Sequence, residues 1–82
     1  MTDLELDNIY RHTLGNRKEV ERSALCGCVS CGKLFPATEV VDYVDAGLTA
    51  LCPECGIDAI VGDASGVELT AELLAELNKR YF

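Results

Sequence analysis

Apolar residues recur along this chain at several spacings, and each spacing predicts a different element. Leu6, Ile9, Tyr10 and Leu14 share one face of a helix over residues 3–14, with Thr2 placed to cap it, Glu5 three positions on, and Gly15 to end it. Asn16 with Glu19 repeats the capping spacing and predicts a second, short helix to about Ala24. It turns Val20 and Ala24 inward and Arg17, Lys18 and Arg22 outward. Leu34-Phe35-Pro36 leads into Glu39-Val-Val-Asp-Tyr-Val44, whose β-branched and aromatic content suits a strand, although Val40, Val41 and Val44 also fit a helical stripe. Asp45-Ala46-Gly47 makes a three-residue turn, and Leu48 to Leu51 returns as the second strand of a hairpin. Gly56 to Gly62 holds one short helical lead-in, and Gly62 to Gly66 is a loop.

The last pattern is the best marked. Thr70 caps a helix over residues 71–81, Leu69 and Leu74 stand at the spacing of a hydrophobic staple, and Leu73, Leu74, Leu77 and Tyr81 line one face. Glu72 lies near the positive start of that helix and Lys79 and Arg80 near its negative end. Tyr81 and Phe82 are expected to close a small core.

The cysteines change this picture from a list of weak elements to an organised one. Cys28-Val-Ser-Cys31-Gly32 and Cys52-Pro-Glu-Cys55-Gly56 are two pairs with the same internal spacing. Two intervening residues let a tight turn bring both sulfurs to one side, the glycine permits a backbone conformation that side chains disfavour, and Pro53 stiffens the second turn. Two such turns facing each other supply four thiolates, the closed tetrahedral shell of one structural Zn²⁺ ion with no open position for water or substrate. Cys28, Cys31, Cys52 and Cys55 are therefore the expected metal ligands. Cys26, the fifth cysteine, is expected to pack beside the first turn without ligating, because Cys28 and Cys31 with Gly32 match Cys52 and Cys55 with Gly56. His12, the only histidine, is expected to be a structural residue on a helix surface and neither a ligand nor an acid–base catalyst, since four better-spaced sulfurs are at hand.

A chain of 82 residues makes one domain with a thin core, for which a metal is a natural staple. Within it, residues 1–25 form an N-terminal helical segment, 26–62 the metal-binding core, and 63–82 a loop and the C-terminal helix; the fold class is α+β. No stretch approaches the length of a transmembrane helix, and the acidic start is unlike a secretory signal, so a cytoplasmic location is expected, which also suits five reduced cysteines. The net charge is −7, and ligation of one Zn²⁺ by four thiolates takes it to −9. Nine acidic residues and no Lys or Arg lie between Glu39 and Glu76, while Arg11, Arg17, Lys18, Arg22 and Lys33 sit in the N-terminal part. Such a balance repels phosphate backbones and disfavours a nucleic-acid partner.

A cysteine knuckle, a hairpin, and a second knuckle opening a short helix is the arrangement of a treble-clef zinc finger, which residues 28–61 resemble. More narrowly, the run Cys26-Gly-Cys28-Val-Ser-Cys31 through Thr49-Ala-Leu-Cys52-Pro-Glu-Cys55-Gly-Ile-Asp58, ending in Thr70 to Phe82, resembles a family of small, uncharacterised bacterial cytoplasmic proteins. That resemblance implies a zinc site and no established activity. Treble clefs as a class bind proteins or nucleic acids, and one branch cleaves phosphodiesters with a histidine on the hairpin; residues 40–61 contain neither His nor Asn. The knuckles are also similar to those of rubredoxin, where iron occupies the shell, but the spacer here is shorter, tryptophan is absent, and Lys33 follows Cys31-Gly32 where an aromatic would stand. Thioredoxin-like chemistry lacks a surrounding βαβ pattern. The expectation is a non-enzymatic zinc module that meets a protein partner. A nucleic-acid-binding finger is the alternative.

Overall fold

A computed structural model describes residues 1–82. The first helix, α1 (Asp3–Tyr10), starts in a capping box: the Thr2 hydroxyl accepts from the Glu5 N–H and the Glu5 carboxylate accepts from the Thr2 N–H. It is shorter than its apolar spacing predicts. A single 3₁₀ turn over Arg11–Thr13 follows, Leu14 is extended, and Gly15 takes a φ of +59°. Leu14 therefore points to solvent, 71% exposed, instead of joining Leu6 in the core.

The second helix, α2 (Arg17–Glu21), is likewise short, and Ala24 is exposed beyond its end. Asn16 precedes it but caps nothing with its side chain. That carboxamide is buried and fully engaged elsewhere. Its Nδ2 donates to the carbonyls of His12 (2.9 Å) and Ile60 (2.7 Å), and its Oδ1 accepts from the Ala50 N–H (3.0 Å).

Five short strands follow: β1 (Leu25–Cys28), β2 (Leu34–Pro36), β3 (Tyr43–Val44), β4 (Thr49–Ala50) and β5 (Ile60–Gly62). β1 is the centre of an antiparallel sheet in the order β2-β1-β5, with Cys26 opposite Phe35 on one side and Gly62 on the other. β3 and β4 make a separate hairpin with Tyr43 opposite Ala50. The hairpin expected over 39–51 is present but trimmed, because a 3₁₀ turn over Ala37–Glu39 takes up the start of its first strand. Its turn runs through left-handed backbone at Asp45, Ala46 and Gly47.

The clearest correction lies after the second cysteine pair. The short helix expected before Gly62, the closing element of a treble clef, is strand β5. Ile60, Val61 and Gly62 are all buried, and pairing with β1 satisfies backbone groups that a lone helical turn would leave open. The structure is thus α+β, with helices over small antiparallel sheets.

The C-terminal helix, α3 (Ala71–Tyr81), begins as predicted with Thr70 accepting from the Leu73 N–H, and buries Leu73, Leu74 and Leu77. It lies very close to the sheet. A Cβ at Gly27 would stand 2.9 Å from Leu74 Cδ1 and 3.2 Å from Leu34 Cδ2, so any larger residue there would push these leucine methyl groups aside. Tyr81 stacks on Tyr10 with ring centroids 3.8 Å apart, and its hydroxyl donates to Asp7, whose carboxylate also takes a two-pronged pair from Arg80. Phe82, past the helix end, is 58% exposed and closes no core.

Asn16 carries the first testable consequence. Asn16→Ala leaves the buried Ala50 N–H and Ile60 carbonyl without partners, and denaturant titration of the metal-loaded protein should show a loss of about 2–4 kcal/mol. Asn16→Asp, which keeps one acceptor but loses both donors and adds a charge, should be at least as damaging.

Candidate metal centre

Each cysteine pair sits on a turn of one design. In the first, the Cys28 N–H donates to the Lys33 carbonyl (3.0 Å) and the Gly32 N–H to the Cys28 carbonyl (2.9 Å). In the second, the Cys52 N–H donates to the Ile57 carbonyl (3.0 Å) and the Gly56 N–H to the Cys52 carbonyl (2.9 Å). Gly32 and Gly56 both have a φ of +77°, a left-handed conformation that glycine enters at little steric cost. This repeat is the physical content of the matching Cys-x-x-Cys-Gly motifs. Inside each turn, backbone N–H groups point at the first sulfur: Cys31 N–H at Cys28 Sγ (3.5 Å), and Glu54 and Cys55 N–H at Cys52 Sγ (3.3 and 3.4 Å). Donors so placed favour the thiolate form.

The two turns face each other. The Sγ atoms of Cys28, Cys31, Cys52 and Cys55 all lie within 4.8 Å of one another. Across the gap, Cys28 Sγ stands 3.6 Å from Cys55 Sγ and Cys31 Sγ 3.8 Å from Cys52 Sγ. A tetrahedron of sulfurs about 2.3 Å from a central ion has edges of about 3.8 Å, whereas a disulfide would need about 2.05 Å. The cluster is therefore positioned to hold a metal ion in an all-sulfur shell. Cys28 and Cys52 are buried and Cys31 and Cys55 exposed.

The thiols differ in acidity for reasons visible in this geometry. Burial pushes the Cys28 thiol well up, against the Cys31 and Ser30 backbone N–H groups. Cys52 is also raised, with burial again the main cause. At Cys55 burial pushes the thiol up, but the Ile57 N–H and the sulfurs of Cys28, Cys52 and Cys31 outweigh it and hold it below the ordinary value. A cation entering the cluster must displace the protons that remain.

Cys26 stays outside the cluster. It is fully buried on β1 between Phe35 and Gly62, and burial, helped by the negative charge of Asp63, pushes its thiol up to about 11, which keeps it a neutral packing group. His12 lies in the 3₁₀ turn after α1 with Nδ1 2.9 Å from Glu19 Oε1, outside the four-sulfur cluster.

Two supports of the site are absent from the cysteine pattern. Asn78, one turn beyond Leu74 on α3, donates from Nδ2 to the carbonyls of Val29 (3.0 Å) and Ser30 (3.1 Å), and so fixes the first turn from below. Asn16 joins Ala50 to Ile60, the two chain segments that flank the second turn. The one signal for Asn78 in the sequence is a carboxamide within the apolar stripe of Leu74, Leu77 and Tyr81. Lys33 and Glu54 add an exposed ion pair between the turns at 3.2 Å, which solvent screens and which therefore adds little.

No family model, curated protein or solved structure matches the chain. Of the resemblance drawn from the motifs, what the structure carries is the four-cysteine cluster that could hold a metal ion.

Cys28→Ser and Cys52→Ser should each abolish stoichiometric metal binding by elemental analysis and lower the melting temperature, whereas Cys26→Ala should keep the metal and cost about 1 kcal/mol or more in packing. Asn78→Ala should weaken metal affinity about tenfold in a chelator competition, since it frees the first turn without touching a sulfur. Affinity should fall as pH falls, by about tenfold per pH unit for each thiol proton displaced, and a cobalt-loaded sample would report this as bleaching of its thiolate charge-transfer bands.

Proposed function

We propose that this protein is a small, non-enzymatic zinc module: one Zn²⁺ held by Cys28, Cys31, Cys52 and Cys55 fixes the fold, and the surface so formed meets a protein partner in the cytoplasm. The observation that carries this reading is the closed sulfur shell. Four sulfurs at tetrahedral spacing leave an ion no vacant position at which to polarise a substrate or activate water. Zinc suits such a shell because it is redox-inert and accepts tetrahedral thiolate coordination without electronic preference. Support for a protein partner comes from the β3–β4 hairpin and the residues that enter it, where Val41, ahead of β3, and Val44 and Leu48 are exposed in a stretch that also carries Asp42 and Asp45.

The alternative, a nucleic-acid-binding finger, loses part of its cationic surface to internal pairing. Arg17 is paired with Glu21 and lies over the Tyr43 ring, and Lys33 is paired with Glu54. Of the N-terminal bases, Arg11, Lys18 and Arg22 remain without carboxylate partners, a small patch on a chain of net charge −7. His12, engaged by Glu19 and outside the sulfur cluster, gives little support to a metal-dependent nuclease.

Native mass spectrometry with elemental analysis tests the metal assignment. One zinc per chain and a colourless protein are expected; a red protein containing iron would replace this reading with electron transfer. A gel shift of DNA or RNA that weakens with salt would favour the alternative. Val41→Ser with Leu48→Ser should abolish capture of a partner while leaving the zinc content unchanged.

A further inference from the structure

The four sulfurs are not equivalent in exposure, and the inequality follows a pattern across the gap. Each of the two close pairs joins one exposed sulfur to one buried sulfur. Cys55, exposed, faces buried Cys28 at 3.6 Å, and Cys31, partly exposed, faces buried Cys52 at 3.8 Å. An oxidant from solvent thus meets one member of each pair, and the other member stands directly behind it.

We propose that the cluster is a redox switch in which two equivalents of peroxide, one for each pair and two electrons at a time, oxidise these pairs to disulfides that cross between the turns, Cys28–Cys55 and Cys31–Cys52, and expel the metal ion. This inference rests on the four-sulfur metal reading above and names a regulation of that site. In the first step the Cys55 sulfur attacks one oxygen of hydrogen peroxide. An S–O bond forms, the O–O bond breaks, and the departing hydroxide takes up a proton to leave as water. The Cys28 sulfur then attacks the Cys55 sulfur. An S–S bond forms, the S–O bond breaks, and a second hydroxide leaves and is protonated to water. The two sulfurs have lost two electrons and the peroxide has gained them. With Cys28 and Cys55 consumed, Cys31 and Cys52 alone would no longer close a four-sulfur shell, and a second peroxide oxidises this pair in the same way.

The choice of pairs decides what is left behind. Disulfides within a turn, Cys28–Cys31 and Cys52–Cys55, would leave the two turns joined by nothing once the ion had gone. Disulfides across the gap keep them tied at the place where the ion tied them, so the metal-free oxidised chain retains its sheet while the metal-free reduced chain loosens. Cys26 takes no part, being fully buried and outside the cluster.

Trypsin reads the pairing directly, because no Lys or Arg lies between Lys33 and Lys79. Cleavage yields one peptide, residues 23–33, with Cys26, Cys28 and Cys31, and another, residues 34–79, with Cys52 and Cys55. The full-length, metal-loaded protein would be treated with hydrogen peroxide in the presence of a chromophoric chelator, then alkylated and digested without reductant. The expected result is release of about one equivalent of metal, the two peptides covalently joined, fragmentation that assigns Cys28–Cys55 and Cys31–Cys52, near-native circular dichroism, and recovery of metal binding on adding dithiothreitol and zinc. Cys26→Ser should behave identically. Metal retained under excess peroxide, peptides that separate with disulfides inside each turn, or sulfinic acids in place of disulfides would each overturn the switch while leaving the metal site intact. A reduced protein that binds no metal overturns the underlying reading, and the switch with it.

Discussion

Everything in this protein depends on two short turns, distant in sequence, meeting sulfur to sulfur. Burial reaches only the inner part of each turn, Cys28 and Val29 in the first and Cys52 in the second, while Cys31, Gly32, Glu54, Cys55 and Gly56 are at the surface. What brings them together is the sheet beneath. β1 delivers Cys28 from its last position, β2 carries the chain away from Lys33, and β5 returns beside β1 after the second turn. The Val29 N–H bond to the Ala59 carbonyl at 2.9 Å extends that alignment to the edge of the cluster. Backbone pairing sets the distance between the turns, and an ion that binds four thiolates would lock it.

Support for this arrangement comes from carboxamides more than from charge. Asn16 and Asn78 each use one side chain to hold two or more backbone groups of other segments, Asn16 in the core and Asn78 under the first turn. In a core of 17 buried apolar residues each such bond specifies position as much as it stabilises. No buried side-chain polar atom is left without a partner. The exposed ion pairs between Lys33 and Glu54 and between Arg17 and Glu21 contribute little beside these.

The features legible in the sequence were those governed by local geometry. The Thr2 capping box, the Thr70 cap, the buried face of α3 and the two Cys-x-x-Cys-Gly turns each depend on residues a few positions apart, and each formed where its spacing put it. The cluster itself was legible because two identical local turns imply a shared purpose. What escaped the sequence was decided by distant partners. Ile60-Val61-Gly62 has the composition of either a helical turn or a strand, and only the exposed flank of β1 makes it a strand. Asn16 carries a capping signature, yet the unpaired backbone of Ala50 and Ile60 draws its side chain inward. Leu14 completes a helical stripe on paper, but the chain has already left the helix after Tyr10.

The close seating of α3 on the sheet has a mechanical corollary. Leu74 fills the hollow over Gly27, and Asn78, on the same face one turn later, grips the carbonyls of Val29 and Ser30. The helix is therefore tied at two points, to the sheet over a glycine and to the first cysteine turn through a carboxamide, so the placement of Cys28 and Cys31 depends on the C-terminal end of the chain as well as on the turn that carries them.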